Sequence, residues 1–148
     1  MKIVTRHLGE IEVRKDDLLV FPQGIVGFEE FQSFALLKAP EEEPFVWLQS
    51  TDDPATAFVV VNPLFVDPTY DFEVDDETIA LLGVKDPGEI DLYVIVTVRQ
   101  DFQRMTANLL APIIVCRTTA RGRQLVLHQS SYATQHPLFP DAPAADAG

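Results

Sequence analysis

The chain has 148 residues, 47% of them hydrophobic, and a formal net charge of −12 at pH 7. This length suits one domain with a hydrophobic core, and no stretch reaches the roughly 18 to 20 uninterrupted apolar residues that a membrane helix needs. Because no such stretch occurs, we do not expect a membrane protein. Because a strong negative charge repels phosphate, we do not expect direct binding of nucleic acid either.

The N-terminal stretch MKIVTRHLGE has charged residues on both sides of a very short apolar piece. It lacks the apolar region and the small-residue cleavage site of a secretory signal, so the expected location is the cytoplasm. The stretch GEIEVRKDD then alternates apolar and polar residues through Ile11 and Val13. This alternation predicts a half-buried β-strand.

Short apolar runs follow at close spacing, separated by loops rich in Pro, Asp, Asn and Gly. The pattern predicts an all-β fold, either a sandwich or a barrel, rather than alternating strand–helix units. The predicted strands are FVWLQ from Phe45, AFVVV from Ala57, LYVIVTV from Leu92, IIVCR from Ile113 and QLVLHQ from Gln124. We expect a hairpin turn in ARGRQ, around Gly122, to join the last two.

Two short helices are predicted within this all-β fold. In VDDETIALLGV, Asp75 or Asp76 can cap the helix N-terminus, and Gly83 can take the left-handed conformation at its end. A second helix is predicted to begin near Phe28, in GFEEFQSF. The tail at residues 139–148 is rich in Pro and Ala and has little to bury, so we expect it to be disordered.

The signals for catalysis and metal binding are weak. His7, His128 and His136 lack the short spacings that bring two imidazoles to one metal. Nucleophile elbows, phosphate-binding loops and the dinucleotide fingerprint are absent. Cys116 follows three apolar residues and is expected to be an inert core thiol. We therefore predict no catalytic residue, no metal and no cofactor.

The stretch GIVG, from Gly24 to Gly27, matches the G-x-x-G of a nucleic-acid-clamping KH loop. A KH loop works beside basic residues, whereas FEEF follows here. The two glycines are therefore expected to supply turns and close packing.

Acidic residues are concentrated in the middle third of the chain. Residues 41–93 carry fourteen acidic side chains and one lysine, a net charge of −13, whereas residues 1–40 and 94–148 carry −1 and +2. Such a field attracts a basic partner, and a solvated face that keeps the protein soluble is the simpler interpretation. Asp71, Glu73 and Asp75 alternate, so on a strand they would share one face.

Two other interpretations of these acids stay open. Calcium binding would need Gly and Glu at positions where Asp76 and Leu82 stand. Paired carboxylates could instead serve acid–base chemistry in a small-molecule-binding or hydrolytic β-barrel, although no sequence pattern indicates a perturbed pKa.

The stretch RMTANLLAPIIVC has Asn108 and Pro112 inside an apolar run. Proline cannot donate to a strand ladder, so this segment lies at a sheet edge, carries a bulge, or begins its strand after Pro112. If Leu109, Leu110 and their backbone groups are unpaired near an edge, they could accept a partner's strand or an apolar docking segment.

Five stretches in order resemble the bacterial flagellar assembly factor family FliW, from about residue 1 to residue 138. They are FPQGIVGFEEF from Phe21, FVWLQSTDDPATAFVVVNP from Phe45, DLYVIVTVR from Asp91, MTANLLAPIIV from Met105 and LVLHQSSYATQHPL from Leu125. The resemblance implies a compact, mainly antiparallel β-barrel-like domain over residues 1–138, with no enzymatic activity.

The resemblance also implies two cytoplasmic partners, newly made flagellin and the RNA-binding translational repressor CsrA. In the partner switch of such proteins, flagellin occupies the factor until export frees it to capture CsrA, and flagellin translation then resumes. A factor of this kind is expected to be a monomer when free and not to touch RNA itself.

An acidic patch suits CsrA, whose RNA-binding surface must be basic. The predicted CsrA-binding patch comprises Asp67, Asp71, Glu73, Asp75, Asp76 and Glu77. The predicted flagellin-binding segment comprises Thr106, Asn108, Leu109, Leu110 and Pro112. The family commonly has Lys in ANLKAP where this chain has Leu110, which removes a charge and adds apolar surface.

Overall fold

The computed structural model describes residues 1–6, 8–38, 40–128 and 130–139. The strands are β1 (Lys2–Thr5), β2 (Gly9–Glu12), β3 (Leu18–Val20), β4 (Ser33–Lys38), β5 (Val46–Ser50), β6 (Ala57–Val61), β7 (Ile90–Thr97), β8 (Thr106–Ala107), β9 (Ile113–Cys116), β10 (Arg121–Gln124) and β11 (His136–Pro137). The helices are α1 (Pro63–Val66) and α2 (Asp76–Leu82), and short 3-10 turns occupy Lys15–Asp17, Pro40–Glu42, Pro87–Glu89 and Phe102–Arg104.

Seven strands of the described chain close into a barrel in the order β7, β6, β5, β4, β3, β10 and β9, with β9 pairing back to β7. All of these pairings are antiparallel except that of β3 with β10, which meet at the single residue pair Val20 and Arg121. The predicted all-β, mainly antiparallel, barrel-like fold is confirmed.

Strand β9 is buried on both faces and links two hydrophobic clusters. Ile113 and Val115 point into the barrel, where they join the cluster of Phe21 and Phe34. Ile114 and Cys116 point outward and pack beneath Leu82 of α2. Successive side chains of a strand point to opposite faces, so a strand covered on both sides reads as the continuous apolar run IIVC.

Helix α2 begins and ends where the sequence predicts. The Asp75 side chain accepts a hydrogen bond from the Thr78 N–H at 2.9 Å, and Gly83 has the left-handed conformation with φ of 70°. The acids of its first turn face the positive end of the helix dipole.

The helix predicted near Phe28 is wrong. Residues 26–31 form successive turns, in which the Phe28 N–H donates to the Ile25 C=O, and Gly27 has φ of 88°. The other helix is α1, within a predicted loop. Its signals are Asn62, whose side chain accepts from the Leu64 N–H, and Pro63 in the first turn.

The turn predicted around Gly122 is also misplaced. Residues 117–120 form the turn, with Ala120 at φ of 59°, and Gly122 lies inside β10. A Cβ atom on Gly122 would stand 2.6 Å from the buried ring of Phe21, so glycine is required by packing and not by a turn. The predicted strand QLVLHQ is wrong beyond Gln124, where β10 ends.

No helix in the described ranges is long and apolar enough to cross a membrane. The tail predicted to be disordered lies outside the described residues, apart from Phe139, which packs against a core cluster.

Candidate functional site

The acidic segment at residues 71–75 runs between Tyr70 and α2 without pairing in a ladder. Its burial nevertheless alternates, because Phe72 and Val74 pack against the cluster beneath α2 while Asp71, Glu73 and Asp75 are exposed. Core packing therefore places the three carboxylates on one face, as their spacing predicts, although no strand is present.

These three acids form one wall of a surface groove of about 590 Å³, here called the acidic groove. The other wall is the segment that follows β10. The lining residues are Asp71, Phe72, Glu73, Asp75, Leu125, Val126, Leu127, His128, Ser130 and Tyr132. Apolar side chains thus stand beside negative charge, which suits a protein partner with a basic and partly apolar surface.

Within the predicted CsrA-binding patch, some acids have an ion-pair partner and others do not. Glu77 lies 3.9 Å from the guanidinium of Arg123, and so part of its charge is balanced. Within the described ranges no cationic side chain reaches salt-bridge distance of Asp71, Glu73 or Asp75. The three groove carboxylates therefore carry charge that no ion pair in the described ranges offsets.

Hydrogen bonds favour the ionised form of two of the predicted acids. Those from the Thr78 side chain and backbone lower the pKa of Asp75, and those from Thr69 lower the pKa of Asp67 in the same way. Asp67 follows α1 and does not line the groove. The structure thus brings Asp71, Glu73 and Asp75 together and sets Asp67 and Glu77 apart.

In the described part of the chain, no three His, Cys, Asp or Glu side chains are grouped so that they could hold a metal ion. The Cys116 thiol is fully buried and lies 3.3 Å from the Thr118 hydroxyl. It therefore contributes to packing rather than to an open site.

The segment predicted to bind flagellin is better paired than its sequence indicates. The Asn108 N–H donates to the Ile95 C=O at 2.9 Å, and the Leu109 N–H donates to the Ala133 C=O at 3.0 Å. The Asn108 side chain accepts from the Leu110 N–H at 3.1 Å. The expectation that these backbone groups are unpaired is therefore wrong.

Burial distinguishes the side chains of this segment. Leu109 is 0% exposed and belongs to the core, whereas Asn108 and Leu110 line a surface cleft. Thr106 lies in β8. Pro112 is buried immediately before β9, so the strand begins after the proline, one of the alternatives that the sequence leaves open.

This cleft, here called the neutral cleft, has a volume of about 390 Å³. It is lined by Val26, Ile95, Thr97, Asn108, Leu110, Ala111, Gln124, Val126, Thr134 and Gln135, none of them ionisable. Val26 is 60% exposed at the tip of the GIVG turn. A Cβ on Gly24 would stand 2.6 Å from the Glu29 backbone, so this glycine serves close packing as expected.

Sequence reasoning missed Val26 and Gln124 as surface residues of interest. Val26 could have been found as a β-branched residue between two turn glycines, where no strand can bury it. Gln124 carried no such signal, because its position depends on how β10 meets the GIVG turn.

Two tyrosines in ring contact link the acidic groove to the segment beside the neutral cleft. The rings of Tyr70 and Tyr132 lie 4.5 Å apart between centroids. The Tyr70 hydroxyl donates to the Leu109 C=O at 2.8 Å, and burial raises the pKa of Tyr70 well above its usual range. The Tyr132 hydroxyl donates to the Asp71 C=O at 2.9 Å.

Replacing Tyr70 with Phe should lower the free energy of unfolding by about 1–3 kcal/mol, because the buried Leu109 carbonyl loses its donor. Urea denaturation measures the change. Tyr93→Phe is the matched control, since no described residue forms a hydrogen bond with the Tyr93 hydroxyl, and it should cost less. Equal losses in the two variants would contradict the assigned role.

Fold and surface together define a small closed β-barrel that carries an acidic groove and a neutral cleft on its surface. The FliW protein family model matches residues 2–138. The chain therefore belongs to the FliW family of flagellar assembly factors.

Individual relatives agree over nearly the whole chain. The flagellar assembly factor FliW of Geobacillus kaustophilus is 43% identical over 141 residues, covering 95% of this chain and 97% of the relative. That of Bacillus subtilis is 39% identical over 138 residues, covering 93% and 96%. A crystal structure of the flagellar assembly factor FliW matches with a TM-score of 0.88 at 41% identity, covering 95% of this chain and 98% of that one.

Proposed function

We propose that this chain is a non-enzymatic regulator of flagellum assembly that binds flagellin and the RNA-binding translational repressor CsrA in the cytoplasm. The observation that carries the proposal is the row of exposed carboxylates along the acidic groove, Asp71, Glu73 and Asp75, none of which has a described basic side chain within salt-bridge distance. Family membership supports the same function.

CsrA binds at the acidic groove. A protein that holds RNA presents basic residues to phosphate, so opposite charge speeds its encounter with the groove and favours it over neutral partners. Bound there, the acids add a negative field beside the RNA surface of CsrA and weaken its hold on RNA.

Flagellin binds at the neutral cleft, where Asn108 and Leu110 are accessible. The two surfaces share Val126, which lines both. Tyr132 of the acidic groove also contacts Tyr70, whose hydroxyl donates to the Leu109 C=O next to the cleft residue Leu110. Occupation of one surface therefore disturbs the other, which accounts for a switch between partners.

The test is a pull-down with the tagged chain from cells in which flagellar export is blocked, compared with cells that export normally. We expect flagellin to co-purify when export is blocked and CsrA to replace it when export resumes. Recovery of neither protein under both conditions would overturn the proposal.

A further inference from the structure

The barrel has a weak seam where β3 meets β10. Their only residue pair is Val20 with Arg121. The next residue of the β3 side, Phe21, donates instead to the Gln32 C=O, and Pro22 has no N–H to offer. Beyond Arg121, therefore, β3 no longer covers the side of β10 that faces it.

The opposite side of β10 stays paired beyond the end of the strand. The Leu125 N–H donates to the Pro112 C=O at 2.9 Å, and the Leu127 N–H donates to the Leu110 C=O at 2.8 Å. Along an extended chain, successive backbone groups point to alternate sides. The N–H groups of Gln124 and Val126 consequently point away from this ladder, toward the neutral cleft.

Neither of these two N–H groups has a backbone acceptor among the residues whose placement is described. Two such N–H groups, two residues apart, offer donors to an added segment on this side of the chain, whereas the Val126 C=O already accepts from the His128 N–H at 3.1 Å. Gln124 and Val126 both line the neutral cleft.

The Gln124 side chain makes hydrogen bonds of the kind that the backbone of an added segment could make. Its carboxamide oxygen accepts from the Val26 N–H at 2.9 Å, and its nitrogen donates to the Ala111 C=O at 3.2 Å. One side-chain amide thus spans the cleft between two backbone groups that a peptide group could satisfy equally well.

The uncharged lining of the neutral cleft limits which kind of segment could replace the Gln124 carboxamide. None of its lining side chains is ionisable, although the chain carries a net charge of −12. Exposed Val26 and half-buried Leu110 offer apolar contact beside the edge. An extended, uncharged polypeptide segment fits this surface, whereas a charged segment would lose hydration without gaining a partner.

We propose that an uncharged, extended segment of flagellin adds as a strand to the edge at Gln124–Val126 and displaces the Gln124 carboxamide from Val26 and Ala111. This inference rests on the proposed function, because it takes flagellin as the partner. Backbone pairing supplies the affinity, and contacts with Val26 and Leu110 select apolar side chains.

Residue-resolved amide hydrogen exchange of the full chain, alone and with intact flagellin, tests the proposal. In the free protein the Leu125 and Leu127 amides should exchange slowly and those of Gln124 and Val126 rapidly. In the complex, Gln124 and Val126 should exchange about tenfold more slowly or better. Unchanged exchange at both in a formed complex would overturn the proposal.

A variant gives a second readout. Gln124→Glu places a charge in a cleft whose lining is uncharged and which the added segment would cover, so flagellin affinity should fall about tenfold or more. Gln103→Glu makes the same chemical change at an exposed position outside the cleft and should leave the affinity unchanged. Equal affinities for the two variants would count against strand addition.

The possible failures differ in what they show. If flagellin does not bind the unaltered chain, the proposed function fails. If flagellin binds but neither readout changes, only strand addition fails. If Gln124 and Val126 are protected without flagellin and lose that protection when residues 140–148 are deleted, the chain's own tail occupies the edge, and this too overturns the proposal.

Discussion

Leu109→Ala should lower the free energy of unfolding by about 2–5 kcal/mol, the range for truncating a fully buried leucine. Leu109 is 0% exposed and packs in the cluster that contains Val61, Val94 and Tyr70. The backbone of Leu109 is held by hydrogen bonds to the Tyr70 hydroxyl and the Ala133 C=O. The surrounding residues therefore cannot easily move in to fill the cavity that the truncation leaves. Urea or guanidinium denaturation followed by circular dichroism measures the loss.

The adjacent leucine is the control for this prediction. Leu110 lines the neutral cleft, so Leu110→Ala removes the same atoms from a half-buried position and should cost much less stability. It should instead weaken flagellin binding. Similar losses of stability in both variants would show that Leu110 belongs to the core and that this segment does not face a partner.

Reversing the three groove acids should weaken CsrA binding about tenfold or more at low salt. The triple variant Asp71→Lys, Glu73→Lys and Asp75→Lys replaces three groove carboxylates with cations that repel a basic partner. Because Asp75 also caps α2, circular dichroism must show that the variant stays folded. The difference from the unaltered chain should shrink as salt is added, because salt screens exposed charges. Titration calorimetry at two ionic strengths measures both effects.

A matched control separates the groove from net charge alone. Glu10, Glu41 and Glu43 are exposed and lie outside the acidic groove. Reversing them changes the net charge by the same amount and should leave most of the CsrA affinity intact. If both triple variants lose affinity equally, CsrA responds to the overall charge and the groove is not its site.

Local signals predicted much of the fold. The cap at Asp75 and the glycine at Gly83 act within one helix, so the sequence around α2 contains what fixes its ends. Strand β9 was likewise predicted from its continuous apolar run. Such features depend on residues a few positions apart.

Tertiary contacts explain the wrong predictions. Gly122 resembles a turn glycine, but it is required because the Phe21 ring, distant in sequence, leaves no room for a Cβ. Leu109 and Leu110 are adjacent residues of the same type, so the sequence does not distinguish them. Only the folded structure shows that Leu109 faces the core and Leu110 does not. Near Phe28, turns replace the predicted helix.

The candidate site shows the same division. The alternation of Asp71, Glu73 and Asp75 correctly indicated a shared face, even without a strand. That Arg123 partly balances Glu77 could not be foreseen, because the two are brought together only when β10 packs beside α2. The seam at Gln124 likewise depends on where two distant strands part.

Release of RNA from CsrA tests the central claim most directly. CsrA is first saturated with fluorescently labelled flagellin leader RNA, and the purified chain is then added while fluorescence anisotropy is followed. We predict that anisotropy falls to the value of free RNA, and that adding flagellin with the chain prevents the fall. RNA that stays bound at saturating concentrations of the chain would contradict the account.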